Sequence, residues 1–469
     1  MIQIQKLLLA GASSSSLIIL LLGCSSISKN IVEPKAPLNT AFNLSYPVVD
    51  TDQKWCFSDK EAIECGKEFV GQDAQYEGLQ PLYQDNNDGT VTDLNTGLMW
   101  IKDAGKKTYY TKTMDKLKTY SFAGYDDWRL PTIKELYSLA LFSGVDASMA
   151  KNSDVKGLWP LIDDDYFTFL YGDKNGGQRV IDSQWLTSSV YNSTVYNHQC
   201  FFGFNFSDGR IKCYGLDHSP AGGYFAQFVR GNKDYGINDY VENGNETITD
   251  RATGLTWTQN DSRKALDFNS ALNYCEELSL GGTDTWRLPN TKELHTLVDY
   301  SRSPDITNSP AIDPLFNMTP ITNEAGQKDY AQYWSSTTLI SYPSNVASAT
   351  YISFGRALGY DSKSIPAPGE SKPLISHNME NNKESKEWID VHGAGAQRSD
   401  PKVPSDENIF KFGHGPQGDT VRRYNYALCV TGGKATPSKG ANPSTLVLSD
   451  VVLEVPKDGD IPTFGDMKK

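Results

Sequence analysis

Short alternating segments, each closed by a turn signal, dominate the polar and apolar pattern of the chain. Thr90-Val91-Thr92-Asp93 follows Asn87-Asp88-Gly89, and Thr247-Ile248-Thr249-Asp250 follows Asn243-Gly244-Asn245. Asn and Gly accept the positive φ of a tight turn and β-branched alternation suits a pleat, so each pair predicts a hairpin. Helical spacing appears at Phe268, Leu272, Cys275 and Leu278, which predicts an amphipathic helix over 268–278 with Cys275 turned inward. Thr132-Ile133-Lys134-Glu135 and Asn290-Thr291-Lys292-Glu293 are capping boxes that follow Pro131 and Pro289. A helix therefore starts at both places, with Leu136 and Leu139, or Leu294 and Leu297, toward the core. Alternation predicts later strands around Trp185 and Trp334, at Phe204–Arg210 and Tyr351–Arg356, and closing strands at Phe225–Gly231 and Tyr426–Gly432.

These elements are written twice in the same order. Thr96-Gly97-Leu98-Met99-Trp100 and Trp128-Arg129-Leu130-Pro131 return as Thr253-Gly254-Leu255-Thr256-Trp257 and Trp286-Arg287-Leu288-Pro289. The spacing between copies holds to within one residue, which indicates two tandem homologous domains, 85–231 and 240–433. Such a period lies well beyond the roughly 20–50 residues of solenoid repeats, so each copy is expected to own a separate core. Trp128 and Trp286 read as core residues, and Arg129 and Arg287 as holding a loop carbonyl or a carboxylate, with Glu135 and Glu293 in the caps.

The ends add a compartment. An apolar run after Lys6 ends at Leu21-Leu22-Gly23-Cys24, too short for a comfortable membrane span and built like a secretory signal over 1–23. The run resembles a bacterial lipobox, which implies lipidation at Cys24, and Ser25 implies sorting to the outer membrane, facing periplasm or cell surface. Residues 24–45 then read as a flexible tether, 46–84 as a lead-in, and 434–469 as a mostly flexible tail in which Thr445–Val455 has strand character.

Six cysteines remain, an even number that suits disulfides in an oxidising compartment. Spacing favours Cys56 with Cys65 and Cys200 with Cys213, leaving Cys275 for Cys429 among 15 connectivities. A formal net charge of −13 disfavours nucleic acid and nonspecific capture of sulfated polyanions.

The combined motifs resemble the Lcl C-terminal domain family, over roughly 86–231 and 242–433. Domain one departs from the pattern, with Phe228 where domain two has Cys429. The Arg-Leu-Pro-Thr and Glu pattern is also similar to the C-type-lectin-like fold of sulfatase-modifying factors. That likeness implies an α+β, loop-rich fold for each copy, two short helices on a twisted antiparallel sheet. Formylglycine-generating relatives need a reactive cysteine pair late in the domain, which neither copy spares. The family name implies adhesion and attachment to glycans or glycosaminoglycans.

Candidate chemistry is sparse. Asp85-Asn86-Asn87-Asp88-Gly89 has the composition of a calcium loop, but Thr96 stands at the twelfth position and a turn is the better reading. Asp163-Asp164-Asp165 offers oxygens to calcium, and such a run is more often a solvated loop. A Gly-rich stretch holding His392, Gln397, Arg398 and Asp400, followed by His414 and Gln417, is the candidate ligand loop, against the blander reading of a loop tied to its own core. No nucleophile-and-base constellation is present in the sequence. The resulting expectation is a non-enzymatic lipoprotein, joined to the membrane by its lipid, that binds glycans; the alternatives are an envelope scaffold binding other proteins and an enzyme akin to the formylglycine generators.

Overall fold

The computed structural model describes residues 44–446 apart from 151–157, 174, 197, 218, 220–221, 362–386 and 405–417. All of these belong to one compact unit. The lead-in carries three two-residue strands, β1 (Cys56–Phe57), β2 (Ala62–Ile63) and β3 (Tyr76–Glu77). The first repeat runs β4 (Tyr83–Asp85), β5 (Thr90–Asp93), β6 (Leu98–Ile101), α1 (Tyr110–Leu117), α2 (Ile133–Tyr137), β7 (Gln184–Trp185), β8 (Cys200–Asn205), β9 (Arg210–Gly215) and β10 (Val229–Gly231). The second opens the same way, with β11 (Tyr240–Glu242), β12 (Thr247–Asp250), β13 (Leu255–Thr258), α3 (Phe268–Glu276) and α4 (Thr291–Thr296). It continues through β14 (Pro320–Thr322), β15 (Lys328–Tyr330), β16 (Gln332–Ser341), β17 (Asn345–Ser353), β18 (Leu358–Asp361), β19 (Glu387–Asp390), β20 (Gln397–Pro401) and β21 (Val430–Gly432). Last, β22 (Thr436–Pro437) returns to pair with β3. Antiparallel sheets and, among the described residues, four α-helices make an α+β, loop-rich fold with two repeated regions.

Both predicted hairpins form. Asn87 and Gly89 take φ of 57° and 88° in the β4–β5 turn, and Gly244 takes 73° in the β11–β12 turn. Each repeat closes a four-stranded antiparallel sheet, β10-β6-β5-β4 and β21-β13-β12-β11, in which the closing strand lies beside the motif tryptophan: Val229 opposite Trp100, Val430 opposite Trp257. Helix α3 has the expected inward face, with Phe268, Leu272 and Cys275 buried.

The expectation of two separate cores is corrected. Three strands from each repeat form one six-stranded sheet, β16-β17-β20-β9-β8-β7, joined where Gln397 of β20 stands opposite Ile211 of β9. Trp100, Leu136 and Phe204 of the first repeat share one apolar cluster with Trp257, Leu294 and Ile352 of the second. The physical reason is that β9 and β20 would otherwise be half-buried edge strands with unpaired backbone groups, and pairing them removes both edges. Smaller clusters stay private: Met99, Trp128, Leu186 and Phe228 in the first repeat, and Leu272, Cys275, Trp286 and Trp334 in the second.

The two later tryptophans do not correspond. Trp185 bridges Phe225 as Tyr333 bridges Tyr426, and both Trp185 and Tyr333 enter the shared core. Trp334 instead matches Leu186, one residue on, in the private clusters. All three expected disulfides are formed, Cys56–Cys65, Cys200–Cys213 and Cys275–Cys429. The tail is corrected over 434–446: β22 pairs with β3, Thr445 accepts from the Trp55 indole at 3.1 Å, and Leu446 packs beside the lead-in. The predicted strand from Thr445 begins as a 3₁₀ turn over Pro443–Thr445, and residues 447–469 lie outside the described residues, as do the 1–23 signal, Cys24 and nearly all of the 24–45 tether.

Candidate functional site

The Trp-Arg-Leu-Pro motif builds the same device in each repeat. Arg129 forks onto Glu135 at 2.7 and 2.5 Å, and the carboxylate also accepts from the Thr132 amide at 2.8 Å. Arg287 forks onto Glu293 at 2.6 and 2.5 Å, and Glu293 accepts from the Asn290 amide at 3.0 Å. One carboxylate thus closes the capping box and anchors the arginine, which explains the fixed spacing from Arg to Glu. A hydroxyl receives the next amide, Ser189 of the segment after β7 from Ile133 at 2.9 Å and Thr337 of β16 from Thr291 at 3.0 Å. Both capping boxes are as expected, and Trp128 and Trp286 are buried.

Between the motifs runs a local two-fold relation. Lys134 donates to the Thr296 carbonyl of the other repeat at 2.9 Å, and Lys292 donates to the Ser138 carbonyl at 2.8 Å. Each also reaches the segment preceding a four-stranded sheet: Lys134 to Gly236 and Asn238 of the linker, Lys292 to the Asp50 carbonyl of the lead-in. Burial pulls both ammonium groups down to about 8, with Asp250 opposing at Lys134 and Asp50 at Lys292. The sequence motif contained both lysines, but nothing in one copy shows that its lysine is spent on the other.

What covers the two devices differs. In the second repeat the lead-in lies over Arg287, Glu293 and Ser336, bringing Asp50, Asp73, Tyr76 and Gly78 and leaving a cavity of about 30 Å³. Asp73 is buried there and accepts from Thr51 at 2.8 Å and Thr337 at 2.5 Å. Burial, helped by Asp50, pushes its carboxyl up to about 8 against those two hydroxyls. In the first repeat the linker 232–239 runs beside the device and, among the described residues, no lead-in side chain lines it; a groove of about 770 Å³ opens along Arg129, Thr132, Ser188 and Ser189, bounded by Tyr235–Asn238 and Leu297–Ser301. The Arg129 side chain is 30% exposed and that of Arg287 5%. This groove is the candidate functional site, and its lining carries Arg129, Lys134 and Lys233 against Glu135, Asp299 and Asp313.

The expected ligand loop takes another form. Gln397, Arg398 and Asp400 lie buried in β20 of the central sheet, and His392 is nearly buried in the turn before it. Arg398 stands 3.5 Å and His392 3.9 Å from Asp419, which also accepts from Tyr351; Asp400 accepts from Asn425 at 3.1 Å. Facing them across the β9 junction, Arg210 donates to Asp146 at 2.8 Å and Lys212 to Asp208 at 2.7 Å. The Asp208 carboxyl, buried, is held below its ordinary value by Lys212 and Arg210. These groups form a buried ionic seam where the repeats join, not an exposed loop, because the β9–β20 pairing brings the polar faces of two strands together. His414 and Gln417 lie outside the described residues. Asp85 receives Lys102 at 2.5 Å and the Asn87 amide at 2.8 Å, and Asp163 receives the Asp165 amide, so both acidic runs are used in turns. Among the described residues no three His, Cys, Asp or Glu side chains converge as a metal site, and no helix there is long and apolar enough to cross a membrane.

Comparison with known proteins gives a single kind of likeness. No curated protein and no solved structure matches the chain. The model of the Lcl C-terminal domain matches twice, over residues 89–230 and 246–367, and the second match stops short of β20 and β21, which complete the repeat in space. Together the two matches cover more than half of the sequence, and the chain belongs to the Lcl C-terminal domain family.

Proposed function

We propose that this chain is a non-enzymatic binding module of the bacterial envelope, anchored through a lipid on Cys24 in the outer membrane and working in adhesion. The observation that carries the reading is the groove of about 770 Å³ between Arg129 and Leu297–Ser301, a concave, mixed-polarity place on a frame tied by disulfides. Two helices against twisted antiparallel sheet in each copy support a C-type-lectin-like ancestry, which speaks for binding rather than for any particular ligand. Glycans are the first class of ligand, by the family resemblance. The near balance of charge in the groove favours neutral over sulfated sugars.

An envelope scaffold that binds other proteins is the second reading. It is favoured by the lead-in, a polypeptide that fills in the second repeat the place left open in the first. Soluble protein beginning after Cys24, presented to a glycan array and to cross-linked envelope extract, tests both. Saturable capture of a glycan or of one dominant protein, lost when Tyr235–Asn238 is replaced by a bulkier loop, is expected. Absence of capture in both assays would remove the binding function.

A further inference from the structure

The second repeat carries its own occupant. Asp73 and Tyr76 of the lead-in sit over the Arg287–Glu293 pair, Asp73 accepting from Thr337 and Tyr76 placing its ring 5.3 Å from the Arg287 guanidinium. In the first repeat the same frame is present and, among the described residues, no lead-in segment covers it. Ser189 holds the place of Thr337, since it receives the Ile133 amide as Thr337 receives that of Thr291. No acceptor for the Ser189 hydroxyl proton is found among the described residues, and the side chain lines the groove. Arg129 holds the place of Arg287 and keeps an open flank. Lys134 is fully used by its three oxygen acceptors, so among the described residues the cations that line the groove with capacity left are Arg129 and Lys233. Asp299 and Asp313 also line the groove and repel an acidic group from their part of it, which leaves Arg129 and Ser189 as its seat.

We propose that the groove of the first repeat docks an extended polypeptide segment that presents an acidic side chain to Ser189 and Arg129, as the lead-in presents Asp73 to Thr337 and Arg287. The proposal rests on the binding reading above and narrows it to a partner of stated chemistry. The partner is a loop or terminus of another protein, with an Asp or Glu three residues before an aromatic ring, the spacing of Asp73 and Tyr76. Main-chain and side-chain contacts of this kind are how a surface prepared for one strand of its own chain captures a strand of another.

The test uses the full mature chain and a synthetic peptide copying Val70–Gln80, with hydrogen exchange read across the protein. Binding with added protection at 129–135, 188–189 and 233–240 is expected. Ser189→Ala in the protein, or Asn in place of the peptide's Asp, should each weaken affinity about 3- to 10-fold, the range for one hydroxyl-to-carboxylate bond. Ser189→Thr should restore it, and an unchanged melting temperature for Ser189→Ala separates lost contact from lost fold. Protection confined to 287–293 and 336–337 would mean that the peptide only competes with the lead-in, and the proposal would fall. It would fall equally if affinity ignored both substitutions. If a glycan or an envelope protein protects the groove while acidic peptides up to millimolar do not, this inference fails and the binding function stands. If nothing protects the groove, both fail.

Discussion

Tyr137 and His295 occupy the same position in the two repeats and touch each other, ring centroids 4.6 Å apart, with the Tyr137 hydroxyl 2.9 Å from Thr291. A residue meeting its own counterpart marks a local two-fold axis, the arrangement of a symmetric dimer interface folded into one chain. Burial, and Lys134 beside it, push the His295 imidazole well below its ordinary value, so it serves as a neutral ring and as a partner of Tyr300.

Cooperativity follows from that contact and from the shared core. Residues 44–446 should unfold in a single transition by calorimetry, with coincident fluorescence and circular dichroism curves. Tyr137→Ala, which empties a fully buried aromatic site at the axis, should cost about 3–5 kcal/mol and lower one common melting temperature. Two resolved transitions in the unmodified chain would contradict the fused interior.

Replacing either reciprocal lysine tests the axis from the polar side. Lys292→Met leaves the Asp50 and Ser138 carbonyls without their donor, at about 1–3 kcal/mol each before relaxation. Removing the ammonium also relieves its burial, so the net loss is expected to be smaller at pH 7 than at pH 9. The sign is fixed by the lowered folded value of about 8: unfolding takes up a proton between pH 8 and the ordinary lysine range, so the wild-type chain gains stability there as pH rises. Urea midpoints of both proteins at pH 7 and 9 check it.

The two arginine–glutamate forks should differ in weight. Arg287→Ala strands Glu293 in a covered site, and about 3–5 kcal/mol is expected; Arg129→Ala leaves Glu135 beside an open groove where water can enter, and the loss should be roughly half or less. Equal losses would mean that the groove is closed in solution.

A pH effect is expected from Asp390. Burial pushes its carboxyl up to about 7, against the Gly393 and His392 amides that favour the charged form. A carboxyl raised on folding contributes stability that is complete below its ordinary value near 3.8 and is lost as pH climbs through about 7. Asp390→Asn keeps an acceptor for the Gly393 amide and should flatten the fall in melting temperature between pH 5 and 8. An unchanged slope would assign the fall to other groups.

Removing the Cys275–Cys429 bridge, whose residues lie 154 apart, should cost more than removing Cys200–Cys213, whose residues lie 13 apart. Loop-closure entropy gives about 5 against about 3 kcal/mol as upper figures, and alanine pairs compared by denaturation in the oxidised state measure the order.

Much of the local structure was legible because its causes are local. The turns at Asn87-Asp88-Gly89 and Asn243-Gly244, the capping boxes at Thr132 and Asn290, the inward face of Phe268 to Cys275 and the pairs Cys56–Cys65 and Cys200–Cys213 each depend on a few neighbouring side chains or on short spacing, and Cys275–Cys429 followed as the pair left over. The offset between Trp185 and Trp334 was not, since both lie in similar Ser- and Thr-rich strings and only the pairing with Phe225 and Tyr426 sets the register.

The union of the copies belonged to the tertiary structure alone. One copy's sequence shows a lysine after a proline, a strand with a polar face and an arginine awaiting a carboxylate. Only packing decided that the lysines would cross over, that Ile211 would meet Gln397 and bury the expected ligand residues, and that the lead-in would cover the second motif and leave the first open. The physical reason is that each of these is a contact between segments far apart in the chain, whose formation depends on burying apolar surface and removing sheet edges from both partners at once.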